Sequence, residues 1–140
     1  NSTYLTTASA SSTYAPKASP TFTGTSTNNY VNAKQYYSTP QTLSDGATTT
    51  WNANLGCEAI WTIGGVGRTL TITNPIAGAF YTLKIIQGTG GSKTITTYPT
   101  NTKWSGGTAP TLSTAAGAVD IISFWYDGTN YNAMSSLDVK

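Results

Sequence analysis

The acidic side chains are the first candidates for chemistry in this chain, which has five of them and no histidine. Two carboxylates on either side of a glycosidic bond suffice to hydrolyse it, so their placement matters. Asp45 and Asp127 each precede a glycine and are explained by turns, whereas Glu58 and Asp120 fall in predicted strands and Asp138 lies near the end. No two of them stand out as a pair. The sequence therefore predicts a protein that is not an enzyme.

Other catalytic and metal-binding arrangements lack their residues. Without histidine, neither a Ser/His/Asp nor a Cys/His arrangement can form, and a single cysteine, Cys57, cannot complete a zinc site. Cys57 precedes a strand-like run and is interpreted as a small buried side chain. The glycine-rich stretches lack the lysine-serine pattern of a phosphate-binding loop, and no Asp-rich loop indicates calcium. We expect no metal and no cofactor.

Charge and hydropathy exclude two further classes of partner. Only 9% of the residues are charged and the net charge is +2, so no basic stripe is available to neutralise a row of phosphates. No apolar stretch approaches the roughly 18 residues that a membrane span needs. We therefore expect neither nucleic acid binding nor membrane insertion.

The elements that must position any site are predicted to be strands. Threonine, nine tyrosines and four tryptophans give the composition of a pleated, half-buried surface. Apolar and polar residues alternate strictly over 68–73, and glycine or Asp-Gly turns separate such runs. Residues 79–86 carry bulky side chains at adjacent positions, which favours a central strand covered on both faces. The predicted strands are 48–51, 57–63, 68–73, 79–86, 93–98, 118–126 and 129–132, with 127–128 as a hairpin turn, and no helix is predicted.

This spacing predicts an all-β domain over residues 44–140. Short strands with turns every 8–12 residues are typical of a β-sandwich or a jelly-roll-like barrel. The apolar fraction is 38%, below the roughly 45–50% of globular proteins. A single copy would thus have a thin core, and oligomerisation is one way to compensate.

Residues 1–43 differ from the rest of the chain in composition. Leu5 and Val31 are the only large aliphatic residues before position 40, so the segment cannot bury enough apolar area to fold alone. It contains a repeat in which STYLTTAS at 2–9 returns as STYAPKAS at 12–19. On composition, it is either a flexible Ser/Thr linker or an extended shaft in which identical chains cover one another.

The run at 4–25, ending in APKASPTFTGT, resembles the shaft segment that recurs in bacteriophage tail-fibre proteins. The resemblance favours the shaft over the linker and implies a homotrimer with intertwined chains. It also implies a place in the fibre stem before a distal head domain. Proline fixes an extended backbone, Phe22 can supply a buried anchor, and Gly24 permits a close approach to the axis. The residues implied to form the shaft and trimer interface are Tyr14, Pro16, Pro20, Phe22 and Gly24.

The C-terminal half carries a second resemblance. Arg68-Thr69-Leu70, KTIT at 93–96, KWSGGTAPTLS at 103–113, Val119-Asp120, YDGTNY at 126–131 and the ending SLDVK are similar to the C-terminal domain of many phage fibre and virion proteins. Ser105 departs from that pattern, which usually has proline there. The ending implies that Lys140 is the natural C-terminus, and a start at Asn1 rather than methionine indicates that the chain is cut from a longer polypeptide.

Binding is the function that remains, and aromatic residues in loops are its candidates. Sugar-binding surfaces use aromatic rings for stacking and Asn, Asp or Thr for hydrogen bonds. Trp104, in a predicted loop, is the first candidate ligand-binding residue, although a Trp in a small β-domain more often belongs to the core or a subunit interface. The other candidates are Tyr98, Tyr126, Asn130 and Tyr131.

Together, these features imply the distal fragment of a phage fibre, located in the virion as a tail or head fibre and extracellular when it functions. The expected partners are two further copies of the chain, a glycan or protein on the host-cell surface, and other virion proteins upstream of residue 1. The alternative is a purely structural virion element, such as a head fibre, decoration protein or trimerisation cap.

Overall fold

A computed structural model of the protein describes residues 38–140, which form two β-sheets. The predicted shaft residues Tyr14, Pro16, Pro20, Phe22 and Gly24 lie outside the described residues. The strands are β1 (Gln41–Leu43), β2 (Thr48–Asn52), β3 (Glu58–Ile63), β4 (Arg68–Thr73), β5 (Phe80–Gln87), β6 (Ile95–Thr97), β7 (Thr102–Trp104), β8 (Val119–Tyr126) and β9 (Tyr131–Ser136).

The chain alternates between the sheets as it runs from β1 to β6. Strands β1, β3 and β5 lie side by side and parallel in the larger sheet, and β2, β4 and β6 do the same in the smaller one. This part of the chain therefore winds as a short coil, as in solenoid folds. Strands β8 and β9 then extend the larger sheet as an antiparallel hairpin, and β7 pairs parallel to β9 at its edge.

Both sheets contribute side chains to one apolar core. Trp51 on β2 and Trp61 on β3 are completely buried, and each indole N–H has an acceptor. Trp51 donates to the Gly56 carbonyl at 3.3 Å, and Trp61 donates to the Asp45 carboxylate at 3.0 Å. A buried Trp needs such a partner for its polar end. The core also contains Leu43, Ala53, Ala59, Ile63, Leu70, Tyr81, Leu83, Ile85, Ile95, Leu112, Ile122, Phe124, Tyr131 and Ala133.

The prediction of an all-β fold is confirmed, with corrections to its detail. The jelly-roll-like path is wrong, because jelly rolls are antiparallel whereas the pairs within the coil are parallel. Gln41–Leu43 is an edge strand of the larger sheet, so the fold begins before the predicted boundary at 44. Two single-turn 3-10 segments, Ala53–Leu55 and Ser105–Gly107, are the only helical residues between 38 and 140.

Strand β5 is central in the larger sheet, as predicted, but only one of its faces is covered within residues 38–140. Tyr81, Leu83 and Ile85 point into the core, while Phe80 and Lys84 are exposed. Strand β8 alternates in the same way. The larger sheet therefore has an outer face that no other part of the described chain covers.

Side chains fix the turns that end the central strands. The buried amide of Gln87 donates to the Lys93 carbonyl at 3.0 Å and accepts from the Lys93 N–H at 2.9 Å, which closes the glycine-rich turn predicted at 88–91. Gly91 has a φ of 61° there, and a Cβ at this position would collide with the Thr114 carbonyl. Only glycine fits this turn.

Candidate functional site

Four of the five predicted binding residues come together, but they pack towards the inside of the protein. The rings of Tyr98 and Trp104 meet edge to face at 4.7 Å, and Trp104 contacts the core residue Phe124 at 6.2 Å. Tyr131 packs against Phe124 at 6.2 Å and against Tyr126 at 4.7 Å. Trp104 ends strand β7 rather than lying in a loop, and it is half-buried. Most contacts of Trp104 are thus those of a core residue, which was the alternative interpretation of this side chain.

Burial keeps the phenols of Tyr98 and Tyr131 protonated at neutral pH. Burial, with a further contribution from the charge of Asp120, raises the pKa of Tyr98 far above its usual value. Burial, together with Tyr126 and Tyr81, raises the pKa of Tyr131 to about 12. The Tyr98 hydroxyl is buried and has no hydrogen-bond partner within residues 38–140. Neither phenol is arranged as an acid or a base.

Asn130 belongs to the turn between β8 and β9. The Asp127 carboxylate accepts from the backbone N–H groups of Thr129 and Asn130 at 2.8 and 2.7 Å and from the Asn130 amide at 3.2 Å. These bonds lower the pKa of Asp127 to about 2. The Tyr126 hydroxyl also closes the turn, donating to the Gly128 carbonyl at 2.8 Å. Asn130 and Tyr126 are therefore occupied in holding the hairpin.

An exposed aromatic pair lies on the outer face of the larger sheet, directly across the sheet from this cluster. Phe80 on β5 and Trp125 on β8 are paired in register, and their rings stack at 6.4 Å with 28° between the planes. Phe80 is 63% exposed and Trp125 is 42% exposed. Two large aromatic rings exposed side by side make this part of the outer face a candidate binding surface.

The aromatic pair forms one wall of an open groove of about 650 Å³, which we call the Phe80–Trp125 groove. Strand pairing places Asn132 beside Trp125 and Lys103 beside Asn132, so an aromatic ring, an amide and an ammonium follow one another across the sheet. The Asn132 amide nitrogen donates to Asp127 at 3.2 Å, while its carbonyl oxygen accepts nothing from residues 38–140. The remaining lining residues are Trp104, Ser105, Ala133 and Met134.

The sequence contains a signal for this groove that the search for loop aromatics missed. Phe124, Trp125 and Tyr126 are consecutive, and alternate residues of a strand point to opposite faces. Once Phe124 enters the core, Trp125 must face outward. The same holds for Tyr81 and Phe80 on the neighbouring strand.

A second, smaller groove of about 380 Å³ contains two of the predicted residues, Tyr98 and Tyr131. Its remaining surface is formed mainly by threonines of the smaller sheet and the loop after it. The Tyr131 side chain is only 6% exposed, so it offers little surface to a ligand. The groove has hydroxyl groups but no charged lining residue.

The carboxylates have structural roles or stand alone. Asp45 pairs with Arg68 at 2.6 Å, and the buried Asp120 accepts from Ser113 and from the Asp138 backbone. Glu58 is exposed, and its carboxylate makes no hydrogen bond within the described part of the chain. In that part, no cluster of three metal-ligating side chains occurs, and no helix is long and apolar enough to cross a membrane.

The Phe80–Trp125 groove offers a flat apolar surface beside one amide oxygen and one positive charge. A ring with an apolar face and hydroxyl groups at its edge, such as a sugar, matches both features. No family model, curated protein or solved structure matches this chain.

Proposed function

We propose that this protein is the distal part of a bacteriophage fibre and attaches to the host-cell surface by binding a glycan in the Phe80–Trp125 groove. The observation that carries the proposal is the stacked, exposed pair Phe80 and Trp125 with Asn132 and Lys103 in the same row of the sheet. The shaft motif at 4–25 supplies the context of a fibre.

A pyranose would lie with its C–H face on the Trp125 indole. Its hydroxyl groups would donate to the Asn132 carbonyl oxygen and accept from the Lys103 ammonium. Stacking on Phe80 holds the Trp125 ring and hydrogen bonds hold the Asn132 amide before the sugar arrives, so only the exposed Lys103 side chain has to be ordered on binding. One shallow groove gives weak affinity, and several copies on one fibre raise the avidity.

The proposed activity is binding without catalysis. A glycosidase needs two carboxylates that flank the sugar bond, at separations of roughly 5–10 Å. The residues lining the groove include no carboxylate. Asp127, the nearest acid in the hydrogen-bond network, is fully committed to its turn and to Asn132.

The proposed assembly is a homotrimer. In each copy, the two sheets form a β-sandwich around one core. The single core cluster shared by both sheets supports the sandwich. The low apolar fraction of 38% and the repeat within residues 2–19 support the trimer. Sedimentation equilibrium of the full chain tests the copy number.

The glycan proposal is tested with the full 140-residue chain on an array of bacterial surface glycans. Trp125→Ala is expected to weaken binding to any positive glycan at least ten-fold, because it removes the stacking surface. Trp125 is exposed and makes no side-chain hydrogen bond within residues 38–140, so the fold should survive. Tyr98→Phe is the matched aromatic control and should leave binding unchanged, because the Tyr98 hydroxyl is buried.

Either of two results would contradict the glycan proposal. One is an array without specific binding together with failure of the full chain to block phage adsorption to its host. The other is equal binding by the wild type and Trp125→Ala.

A purely structural virion element is the second candidate, and the uncovered outer face of the larger sheet favours it. Aliphatic residues on that face, such as Ile60 and Ile121, would suit contact with another protein chain. This candidate predicts self-association without binding to cells or glycans.

A further inference from the structure

The outer face of strands β3, β5 and β8 is unusually apolar for a surface. Alternation places eleven side chains on it, of which six are large and apolar and only two are charged. Antiparallel sheets with one solvated face normally carry polar residues there. The six apolar residues are Ile60, Phe80, Ile86, Val119, Ile121 and Trp125.

The smaller sheet shows what a solvated face looks like in this same protein. Its outward positions are occupied by threonines, among them Thr48, Thr50, Thr69 and Thr71. The composition of the two outer faces therefore differs sharply. This contrast indicates that the larger sheet is covered in the assembled protein.

Two opposite charges interrupt this apolar face. Lys84 lies in the middle of β5 between its cross-strand partners Ile60 and Ile121, whereas Glu58 begins β3 and is a diagonal neighbour of Lys84. Glu58, Ile60 and Lys84 all border a small hollow of about 150 Å³. Both side chains are exposed, and neither makes an ion pair within residues 38–140. Glu58 is also the only one of the five acids whose carboxylate has no hydrogen bond in that part of the chain.

We infer that a second copy of this chain packs on the outer face of β3, β5 and β8, with Glu58 of each copy near Lys84 of a neighbour. A second copy fits because the face itself carries both required charges beside the apolar side chains of Ile60 and Ile121. This inference rests on the multimeric fibre proposed above and names the surface through which its copies meet.

The contact leaves the glycan groove open. Lys84 and Ile121 are direct cross-strand partners, and the Phe80–Trp125 pair lies four residues further along the same two strands. At about 3.3 Å per residue, the two centres are about 13 Å apart. The proposed contact must therefore extend less than about 13 Å from Ile121 on this side, narrower than a standard interface, so that it borders the groove rather than fills it.

Carbodiimide cross-linking of the full chain tests the contact. The reagent activates a carboxylate, and a nearby amine displaces it to form an amide with no spacer atoms. Copies grown in ¹⁴N and ¹⁵N media are co-refolded, cross-linked and digested. We expect a cross-linked product in which the peptide containing Glu58 carries one nitrogen isotope and the peptide containing Lys84 carries the other. The inference would be overturned if no Glu58–Lys84 cross-link formed. It would also be overturned if every such cross-link joined two peptides of the same isotope, because the bond would then lie within one chain.

The variant Ile121→Glu tests the apolar centre without endangering the fold. It places a carboxylate opposite Lys84, and oppositely charged cross-strand pairs stabilise a sheet. Mixed-isotope cross-links between all residue pairs, counted together so that competition for Lys84 by the new carboxylate cannot mimic the effect, should fall at least ten-fold in this variant. They should stay unchanged in the control Thr48→Glu, which carries its charge on the smaller sheet. An unchanged yield in Ile121→Glu contradicts the proposed centre.

The glycan variant separates this inference from the proposed function. Trp125→Ala should keep the mixed-isotope peptide while losing the glycan. Loss of the peptide in Trp125→Ala but not in Ile121→Glu would move the contact between copies into the groove and overturn the inference.

Discussion

The Asp45 carboxylate joins three separate parts of the fold through its hydrogen bonds. It accepts from the Trp61 indole at 3.0 Å and from the Arg68 guanidinium at 2.6 Å. Burial alone would raise its pKa, but the hydrogen bonds from Gly64, Trp61 and Arg68 and the charge of Arg68 outweigh it and lower the pKa below 3.8. Asp45 therefore satisfies the polar end of a completely buried Trp and neutralises a half-buried Arg.

Asp45→Asn is expected to lower the free energy of unfolding by about 1–2 kcal/mol at pH 7, since hydrogen bonds to a charged group are lost. Because the folded pKa is lowered, the contribution of the carboxylate is complete above pH 3.8 and is lost as the pH falls through the folded value. The difference between variant and wild type should thus shrink below pH 3.8 in urea titrations. A difference that is constant down to pH 2 would contradict this role for Asp45.

Of the predicted binding residues, only Trp104 lines the Phe80–Trp125 groove, and the exposed aromatic pair itself is missing from the prediction. Trp104 and Tyr98 are candidates because they lie near predicted loops, whereas strand β7 turns Trp104 towards Phe124. Local sequence cannot reveal a three-residue edge strand, because its direction is fixed by pairing with β9. Trp125 was predictable from alternation alone, but its stacking on Phe80 depends on the register of β5 and β8.

At the scale of elements, strands were more predictable than their partners. The runs at 48–51, 57–63, 68–73, 79–86 and 118–126 each match an observed strand to within one residue at either end, because alternation of apolar residues is a local property. Alternation does not say whether a neighbour is parallel. The parallel coil from β1 to β6 depends on where each turn returns the chain, and strands of three residues such as β1 leave no periodic signal.

Strand β8 also anchors the C-terminal segment, through Asp120. This completely buried carboxylate accepts from the Ser113 N–H at 2.8 Å, the Ser113 hydroxyl at 2.6 Å and the Asp138 N–H at 2.9 Å. The Val139 N–H then donates to the Val119 carbonyl at 2.8 Å. One side chain thus holds a loop and the end of the chain against the same strand.

Asp120→Ala should cost about 2–4 kcal/mol in the free energy of unfolding, because it leaves buried donors without acceptors. Hydrogen exchange should accelerate most at the Asp138 and Val139 amides, ahead of amides within β5. Ser113→Ala removes only one of the three bonds, and about 1 kcal/mol is expected for it. Equal acceleration over the whole sheet would show that Asp120 supports the core rather than the C-terminal segment.

At the scale of the whole molecule, the outer faces of the two sheets differ in polarity. Threonine covers the smaller sheet and can meet water, while Ile60, Ile86, Val119 and Ile121 leave the larger sheet apolar. Burial of that face between copies would add the apolar area that a chain with 38% hydrophobic residues lacks. Folding and association should then be one coupled equilibrium.

That coupling predicts a melting temperature that depends on concentration. For three folded copies that dissociate as they unfold, a ten-fold rise in chain concentration adds two-thirds of 1.4 kcal/mol, about 0.9 kcal/mol per chain. This corresponds to a rise of about 3–6 °C for a chain of this size. Calorimetry at chain concentrations from about 5 to about 500 μM measures the melting temperature over two decades of concentration, as this mass-action law requires. Thr48→Glu should keep the slope, whereas Ile121→Glu should flatten it. A wild-type melting temperature independent of concentration would mean that the larger sheet stays uncovered as the protein folds.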